Sequence, residues 1–300
     1  MLTCSLLALT LVAKVSAAAT HDVSAQGFRF QIVPADDTDV TRRIVDDLSR
    51  RLVPIFSGFR TELAQRRRML YVAIGPAALR EVAARECDCV VISAFTSSQV
   101  FRAIVAKLPP ARAGAITAVY AEPAPAEQLR LVSLLYRRPA QVAAILGLDT
   151  AFLKPGLAAD GVSVLEAGAS DDINRLLNQI AQTDVLLALP DRAVYNTDNF
   201  RNILLSTYRH KQGVIGFSGD MVKAGALATT YSDIQDIDAQ VAEIAASYVA
   251  GGELAPPQFP HYFRTVVNEG VARSLDVDVT AAARNFARPA PDSTPLARRP

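Results

Sequence analysis

The sequence predicts an α/β protein with two Rossmann-like lobes, each built on a parallel sheet, joined by a hinge. Short apolar runs alternate with longer amphipathic runs, and the alternation starts again after residue 122. This alternation is typical of β-α-β units, in which crossover helices connect parallel strands. The chain has 300 residues, a length at which one hydrophobic core usually gives way to two domains.

The first lobe is predicted over residues 20–122. Its apolar runs have the length of buried strands, and the segments between them have apolar residues at helical spacing. We expect Pro54 to end or kink the first helix, because proline removes one helical hydrogen bond and crowds the preceding turn. The strands are predicted at residues 28–33, 70–74, 89–93 and 115–120, and the helices at 38–59, 77–85 and 99–108.

The second lobe is predicted over residues 123–286, with the boundary at the sequence Glu-Pro-Ala-Pro of residues 122–125. The prediction leaves open that the chain crosses back to the first lobe near its C-terminus. Residues 287–300 are rich in Pro and Arg and predict a disordered tail. The strands are predicted at 141–146, 162–166, 185–189, 213–217, 226–230 and 261–267, and the helices at 126–136, 171–181, 199–210, 220–224 and 232–249.

Residues 1–19 predict a signal peptide. The apolar run LLALTLV of residues 6–12 is followed by small residues, the pattern of a secretory leader with cleavage after Ala17 or Ala19. No basic residue precedes the run, and a buried N-terminal helix is the alternative interpretation. The run is too short to span a bilayer permanently. We therefore expect an exported, periplasmic protein that is not a transmembrane protein.

Composition excludes several function classes. Lys and Arg number 31 and Asp and Glu number 30, so the formal net charge is +1, and we expect no nucleic-acid partner. The three cysteines and three histidines are too scattered for a metal site. Cys87 and Cys89 are interpreted as small buried side chains; we expect no mutual disulfide, on the assumption that a strand directs them to opposite faces.

The sequence contains no phosphate-binding loop of the GxxxxGK[ST] type, no GxGxxG after a strand and no GxSxG. We therefore expect no catalytic residue, no metal and no cofactor. An exported serine hydrolase is an alternative, with Ser218 as nucleophile and His210 or His261 as base.

Residues 186–230 resemble a known family over about 45 residues. The matching segments are ALPDRAVYN (188–196), ILLSTYR (203–209), IGFS (215–218) and VKAGAL (222–227). They are similar to the solute-binding proteins of ABC transport systems, within the uncharacterised group related to tryptophan-type, aromatic-amino-acid-binding proteins. The resemblance implies a type I periplasmic binding protein-like fold.

The resemblance also implies a function. A protein of this family captures a small molecule in the cleft between its lobes, without chemistry, and delivers it to an ABC permease. The alternative is a periplasmic ligand-sensing module that docks a membrane signalling protein. The expected ligand is an amino acid or another small organic anion or zwitterion.

Loops that follow strands are expected to supply the ligand-binding groups, because ligands of such sheets bind at the carboxyl ends of the strands. Hydroxyls and backbone N–H groups near a helix N-terminus suit an anion, although plain helix capping explains them too. Asp191 suits an ammonium group or a turn cap. The candidate residues are Ser93, Phe95, Thr96, Ser97, Glu122, Asp191, Tyr195, Asn196 and Ser218.

Overall fold

The computed structural model describes residues 22–23, 30–57, 68–168 and 170–291. The predicted signal peptide and residues 292–300 of the predicted tail lie outside the described residues. Within these ranges no helix is both long enough and apolar enough to cross a bilayer.

The first sheet has five strands, and four of them are parallel. The exception is the first, a two-residue strand that pairs antiparallel with the second. The strands lie in chain order across the sheet. The elements are β1 (Asp22–Val23), β2 (Phe30–Pro34), α1 (Asp39–Ser57), β3 (Met69–Ile74), α2 (Gly75–Ala83), β4 (Cys89–Thr96), α3 (Ser98–Val105), α4 (Pro110–Ala113) and β5 (Ile116–Tyr120).

Pro54 does not end the first helix. The helix α1 continues to Ser57, and Leu52 and Phe56 on either side of Pro54 are buried in the first-lobe core. Pro54 removes the helical bond to the carbonyl four residues earlier and crowds that carbonyl, and the burial of these side chains offsets the cost.

The second sheet has six strands. The elements of this half are α5 (Pro125–Leu135), β6 (Val142–Leu146), α6 (Lys154–Ala159), β7 (Ser163–Glu166), α7 (Ile173–Gln179), β8 (Val185–Leu187), α8 (Thr197–Arg209), β9 (Gly213–Ile215), α9 (Gly219–Ala224), β10 (Ala228–Tyr231), α10 (Ile234–Gly251), β11 (Arg264–Val267), α11 (Glu269–Ser274) and α12 (Ala281–Arg284). The strand order is β11-β10-β9-β8-β6-β7, and all neighbours are parallel except β10 and β11. The sequence missed the three short helices α6, α11 and α12.

Helix α10 lies in the first lobe, although its neighbours in the sequence belong to the second. Its residues Ile237, Val241 and Ile244 share one core cluster with Leu48 of α1 and Val72 of β3. Over the residues that the structure describes, the chain therefore passes between the lobes three times: after β5, after β10 and before β11. The range 123–286, predicted as second lobe, thus includes a helix of the first.

Buried polar groups fix the third passage. The backbone of Gln258 pairs with β5: its N–H donates to the Ala118 carbonyl oxygen at 2.9 Å, and its carbonyl oxygen accepts from Tyr120 N–H at 3.0 Å. The side chain of Gln240 on α10 accepts from His261 N–H at 3.0 Å and donates to the Phe259 carbonyl oxygen at 3.2 Å. These bonds hold the returning chain against the first lobe.

Residues 287–291, which the sequence placed in the tail, pack on the protein. The backbones of Phe263 and Arg288 exchange two hydrogen bonds of 2.8 and 2.9 Å. The N–H of Ala290 donates to Asp236 Oδ1 at 3.0 Å. The packed chain thus extends beyond the predicted end of the second lobe.

Cys87 and Cys89 form a disulfide, and the expectation of two separate buried thiols is wrong. Side chains two residues apart on a strand point to the same face, not to opposite faces. In addition, β4 begins only at Cys89, so Cys87 lies in the bend before the strand and is exposed, whereas Cys89 is buried.

Candidate functional site

The second sheet contains a switch point between β6 and β8. Strand β6 pairs with β7 on one side and with β8 on the other, so the chain leaves β6 and β8 in opposite directions. The loops that follow such strands diverge and leave a crevice at their carboxyl ends. Asp149 in the loop after β6 and Arg192 in the loop after β8 lie at this crevice.

The crevice faces α2 and α3 of the first lobe across a cavity of about 180 Å³, here named the basic cavity. Three of its side chains are cations and one is a carboxylate. Arg80 and Lys107 come from the first lobe, whereas Arg192 and the carboxylate of Asp149 come from the second. The remaining lining residues are Gln99, Val100, Ala103 and Ile104.

A second cavity of about 620 Å³ adjoins the first and shares Gln99, Ala103 and Asp149 with it. We name it the wide cavity. Its Leu148 side chain is 85% exposed, which is unusual for an apolar side chain between two lobes. The other lining residues are Phe101, Arg102, Val105, Ala106, Tyr120 and Pro257. The wide cavity is therefore largely apolar where the basic cavity is charged.

The lobes also touch beside these cavities. The guanidinium of Arg102 on α3 lies over the ring of Phe152 in the second lobe, 4.2 Å from its centroid. A cation over an aromatic face is attracted by the negative face of the ring. This contact joins α3 to the segment that follows β6.

Gln99 is the buried polar side chain common to both cavities. It is only 8% exposed, and its Oε1 atom has no hydrogen-bond partner among the described residues. A buried acceptor without a partner is unfavourable, so native structures usually satisfy it with protein, water or ligand. The amide of Gln99 is therefore a group that a bound molecule would satisfy.

Glu122, a predicted site residue, holds the helix that presents Gln99. The N–H of Ser98, in the first turn of α3, donates to both carboxylate oxygens of Glu122, at 2.9 and 3.1 Å. Burial raises the pKa of Glu122, and the bonds from Ser98 oppose that shift. Glu122 lies at the first passage between the lobes and positions α3.

Asp191 plays a similar part in the second lobe. Its Oδ2 accepts from Gly147 N–H at 3.0 Å and from the Thr150 hydroxyl at 2.7 Å. Its Oδ1 accepts from the N–H groups of Ala193 and Val194 at 2.9 and 3.3 Å. The carboxylate thus joins the two loops that carry Asp149 and Arg192, and both of its oxygens are occupied in this structure.

The close approach of Asp191 requires glycine at position 147. A Cβ atom there would lie 2.6 Å from both carboxylate oxygens. Glycine is the residue that permits such an approach.

Ser97, Tyr195, Asn196 and Ser218 lie on loops that follow strands, as expected. Ser93, Phe95 and Thr96 instead lie inside β4, which runs three residues beyond its predicted end. None of the nine predicted residues lines either cavity. Asn196 and Ser218 cap α8 and α9 by accepting from Asn199 N–H at 2.8 Å and Met221 N–H at 3.4 Å. Their ligand contacts stay a prediction.

The first-lobe candidates are mostly enclosed. The hydroxyl of Ser93 donates to Thr96 Oγ1 at 3.2 Å, and both residues are buried. Phe95 has a positive φ of 57° and packs against the first-lobe core. Ser97 occupies the N-cap of α3 without a side-chain bond to the helix.

Tyr195 is the candidate whose side-chain hydroxyl makes no hydrogen bond within the described residues. Its hydroxyl is buried without a partner among the described residues, and its ring lies 6.0 Å from that of Phe217. Burial, and next the charge of Asp191, raise the pKa of the Tyr195 hydroxyl.

Sequence reasoning missed the cavity residues Arg80, Gln99, Lys107, Asp149 and Arg192. The loop of residues 147–150 follows a predicted strand, which is a usable signal. The strand order, which places this loop beside Arg192 and opposite α3, could not be read from the sequence.

Comparison with known proteins gives matches among solved structures alone. No protein-family model matches the chain, and no curated protein matches it. A conserved domain protein from Vibrio cholerae is 17% identical, with a TM-score of 0.50, over 86% of this chain and 98% of that one.

Two further structures are similar. An ABC domain from Streptococcus pneumoniae in complex with L-Trp is 14% identical, with a TM-score of 0.51, over 85% of this chain and 97% of that one. The ligand-free, open form of a substrate-binding protein with adhesive properties from Clostridium difficile is 14% identical, with a TM-score of 0.58, over 86% and 98%.

At these identities the likeness shows a shared fold. The predicted fold class is confirmed: the chain has parallel sheets in two α/β lobes, in the arrangement of type I periplasmic binding proteins.

Proposed function

We propose that this protein is the solute-binding protein of an ABC transport system, which captures a small molecule between its lobes and does no chemistry on it. The observation that supports the proposal most directly is the basic cavity. It lies at the switch point of the second sheet, and both lobes supply its lining. Ligands of open α/β sheets bind at such crevices.

Two of the similar structures fit this proposal. One is described as a substrate-binding protein in an open, ligand-free form, and another holds L-Trp. The proposed periplasmic location and the delivery to a permease follow from the predicted signal peptide and from the resemblance of residues 186–230. For the ligand we retain an amino acid or another small organic anion or zwitterion.

Lobe closure is the proposed mechanism. A ligand that contacts Gln99 on one lobe and Asp149 on the other binds the closed form more tightly than the open form, and this difference in affinity shifts the population toward closure. The three passages between the lobes would act as the hinge. Glu122 and Asp191 would hold the two sides of the cleft rigid.

The hydrolase alternative finds no support in the structure. The hydroxyl of Ser218 accepts from Met221 N–H, and His261 Nε2 lies 3.2 Å from Glu243 at the third passage. No hydrogen bond joins Ser218 to either His210 or His261 within the described part of the chain.

The test is a thermal-shift screen of the protein against amino acids and small organic acids. A ligand at a hundredfold excess over its Kd stabilises the folded state by about 2.7 kcal/mol, which raises the Tm of a chain of this size by several degrees. We expect at least one such shift.

A matched pair of variants locates the binding. Ala103 lines both cavities, whereas Ala158 is exposed on α6 and lines neither of them. Ala103→Phe should abolish the shift and Ala158→Phe should leave it intact. A shift that survives Ala103→Phe would contradict the assignment of the cleft.

A further inference from the structure

We infer that the ligand is a small organic anion, and that its acid group lies in the basic cavity between Arg80 and Lys107 of the first lobe and Arg192 of the second. This inference rests on the proposed function; it narrows the ligand to one with an acid group held by cations of both lobes, and it names the residues that recognise that group.

The charge of the basic cavity is the first observation. Three cationic side chains line it against the single carboxylate of Asp149. Several arginines elsewhere in the described residues pair with carboxylates, as in Arg138 with Asp184 and Arg175 with Asp171 at 3.1 Å. Within the described residues, Arg80, Lys107 and Arg192 lie in no such ion pair. An anionic ligand would offset this excess of positive charge.

The distribution of these cations over both lobes is the second observation. Like charges on facing surfaces oppose the approach of the lobes. An anion between Arg192 and the pair of Arg80 and Lys107 replaces this repulsion by attraction to both sides. Occupancy by an anion would therefore favour the closed form, and a neutral ligand of the same size would leave the repulsion in place.

The other groups in the cleft indicate what the rest of the ligand carries besides its acid group. The carboxylate of Asp149 and the unpartnered Oε1 of Gln99 are acceptors, which suit a hydroxyl or ammonium group on the ligand. Leu148, Tyr120 and Val105 in the adjoining wide cavity offer apolar surface to the ligand body. The arrangement fits a hydroxy or amino acid, or a phosphate ester of similar size. It does not favour an uncharged sugar or a polyamine.

The experiment measures binding of five probes by calorimetry and thermal shift: succinate, L-glutamate, glycerol 3-phosphate, D-ribose and putrescine. We expect binding among the first three, with none for D-ribose or putrescine. The two carboxylates and the phosphate ester distinguish which acid group is used. Affinity should fall at least threefold between 20 and 300 mM NaCl, because salt screens exposed charges.

Substitutions separate this inference from the proposed function. Arg192→Gln and Lys107→Gln should each lower the affinity for the acid at least tenfold. Arg209→Gln, which removes an exposed cation at the far end of α8, should leave binding unchanged. Circular dichroism confirms that each variant is folded.

Three outcomes would count against the inference. If D-ribose or putrescine binds, and Ala103→Phe abolishes that binding, the proposed function stands and the anion assignment is wrong. If an acid binds equally well to wild type, Arg192→Gln and Lys107→Gln, the residues are wrong. If none of the five probes binds, the result counts against both proposals.

Discussion

Asp238 lies on α10 where that helix packs against α1, and it is fully buried. As a carboxylate it has no hydrogen-bond donor within the described ranges, whereas in its protonated form it hydrogen-bonds with the carboxylate of Asp47. Asp47 and Arg51 face it from α1, and Asp233, the N-cap residue of α10, is the other charged group near it. Burial, followed by the charge of Asp47, raises the pKa of Asp238 to about 9. At neutral pH the folded protein therefore holds this carboxyl group protonated.

This protonation makes stability depend on pH. Between about pH 4 and 9 the unfolded chain releases the Asp238 proton and the folded chain retains it, so the free energy of unfolding falls as pH rises. We expect Asp238→Asn to be more stabilising at pH 8 than at pH 5, by up to about 4 kcal/mol, since one pKa unit corresponds to about 1.4 kcal/mol. Urea unfolding at both pH values measures this.

The control is Asp160→Asn, which changes an exposed carboxylate on a surface turn. It should show the same pH profile as wild type. If Asp238→Asn also runs parallel to wild type, Asp238 is ionised in the folded protein and the expectation is wrong.

At the residue scale, the sequence indicated the loops of the site better than the side chains. Asp191 and Glu122 were predicted as ligand groups because they follow strands, and both lie close to the cleft. Their oxygens are nevertheless occupied by backbone N–H groups. Whether a carboxylate in a loop meets a ligand or a neighbouring loop depends on long-range packing, which one sequence does not show.

At the scale of elements, the junction between α10 and β11 combines three charges. Arg264 of β11 pairs with Asp233, the N-cap of α10, and with Asp236 in its first turn, and the two aspartates form a capping box. Asp236 is fully buried. Burial raises the pKa of Asp236, and Arg264 is among the groups that lower it. The junction thus fixes the start of a first-lobe helix to a second-lobe strand.

Arg264→Met should destabilise the protein by about 3–5 kcal/mol, because it leaves a buried carboxylate without its cation. Equilibrium unfolding in urea at pH 7 measures the loss. Arg209→Met, at an exposed helix end, is the control and should change stability by less than about 0.5 kcal/mol. A loss below 1 kcal/mol for Arg264→Met would show that this junction contributes little.

Elements with long apolar runs were predictable and short ones were not. Strands β3 and β5 lie within one residue of their predicted bounds at each end. Helices α6, α11 and α12 have four to six residues each, too short for periodicity to appear. Their conformation depends on packing and caps, such as Asn268 accepting from two N–H groups of α11.

At the scale of the whole molecule, the sequence predicted two lobes but not their exact membership. The first lobe needs α10, whose side chains Ile237, Val241 and Tyr248 belong to its core. That helix is apolar on most of its surface, and the sequence pattern does not say which sheet it covers.

A fragment of residues 20–122 should therefore fail to form a fixed tertiary structure. Without α10, the core around Leu48 and Val72 is exposed to water. Joining residues 231–257 to this fragment through a flexible linker should restore cooperative unfolding. Near-ultraviolet circular dichroism and a thermal scan compare the two. If the short fragment unfolds cooperatively, α10 is dispensable to the first lobe.

The position of α10 also affects the order of events during synthesis. The last strand of the first lobe ends at Tyr120, and the helix that completes its core ends at Gly251. At about 5–20 residues per second, a ribosome needs several seconds or more to supply that helix. We expect the nascent first lobe to stay open to protease throughout this interval, as limited proteolysis of stalled chains ending before residue 234 would show. The protein would thus acquire its first lobe only after most of its second has been made.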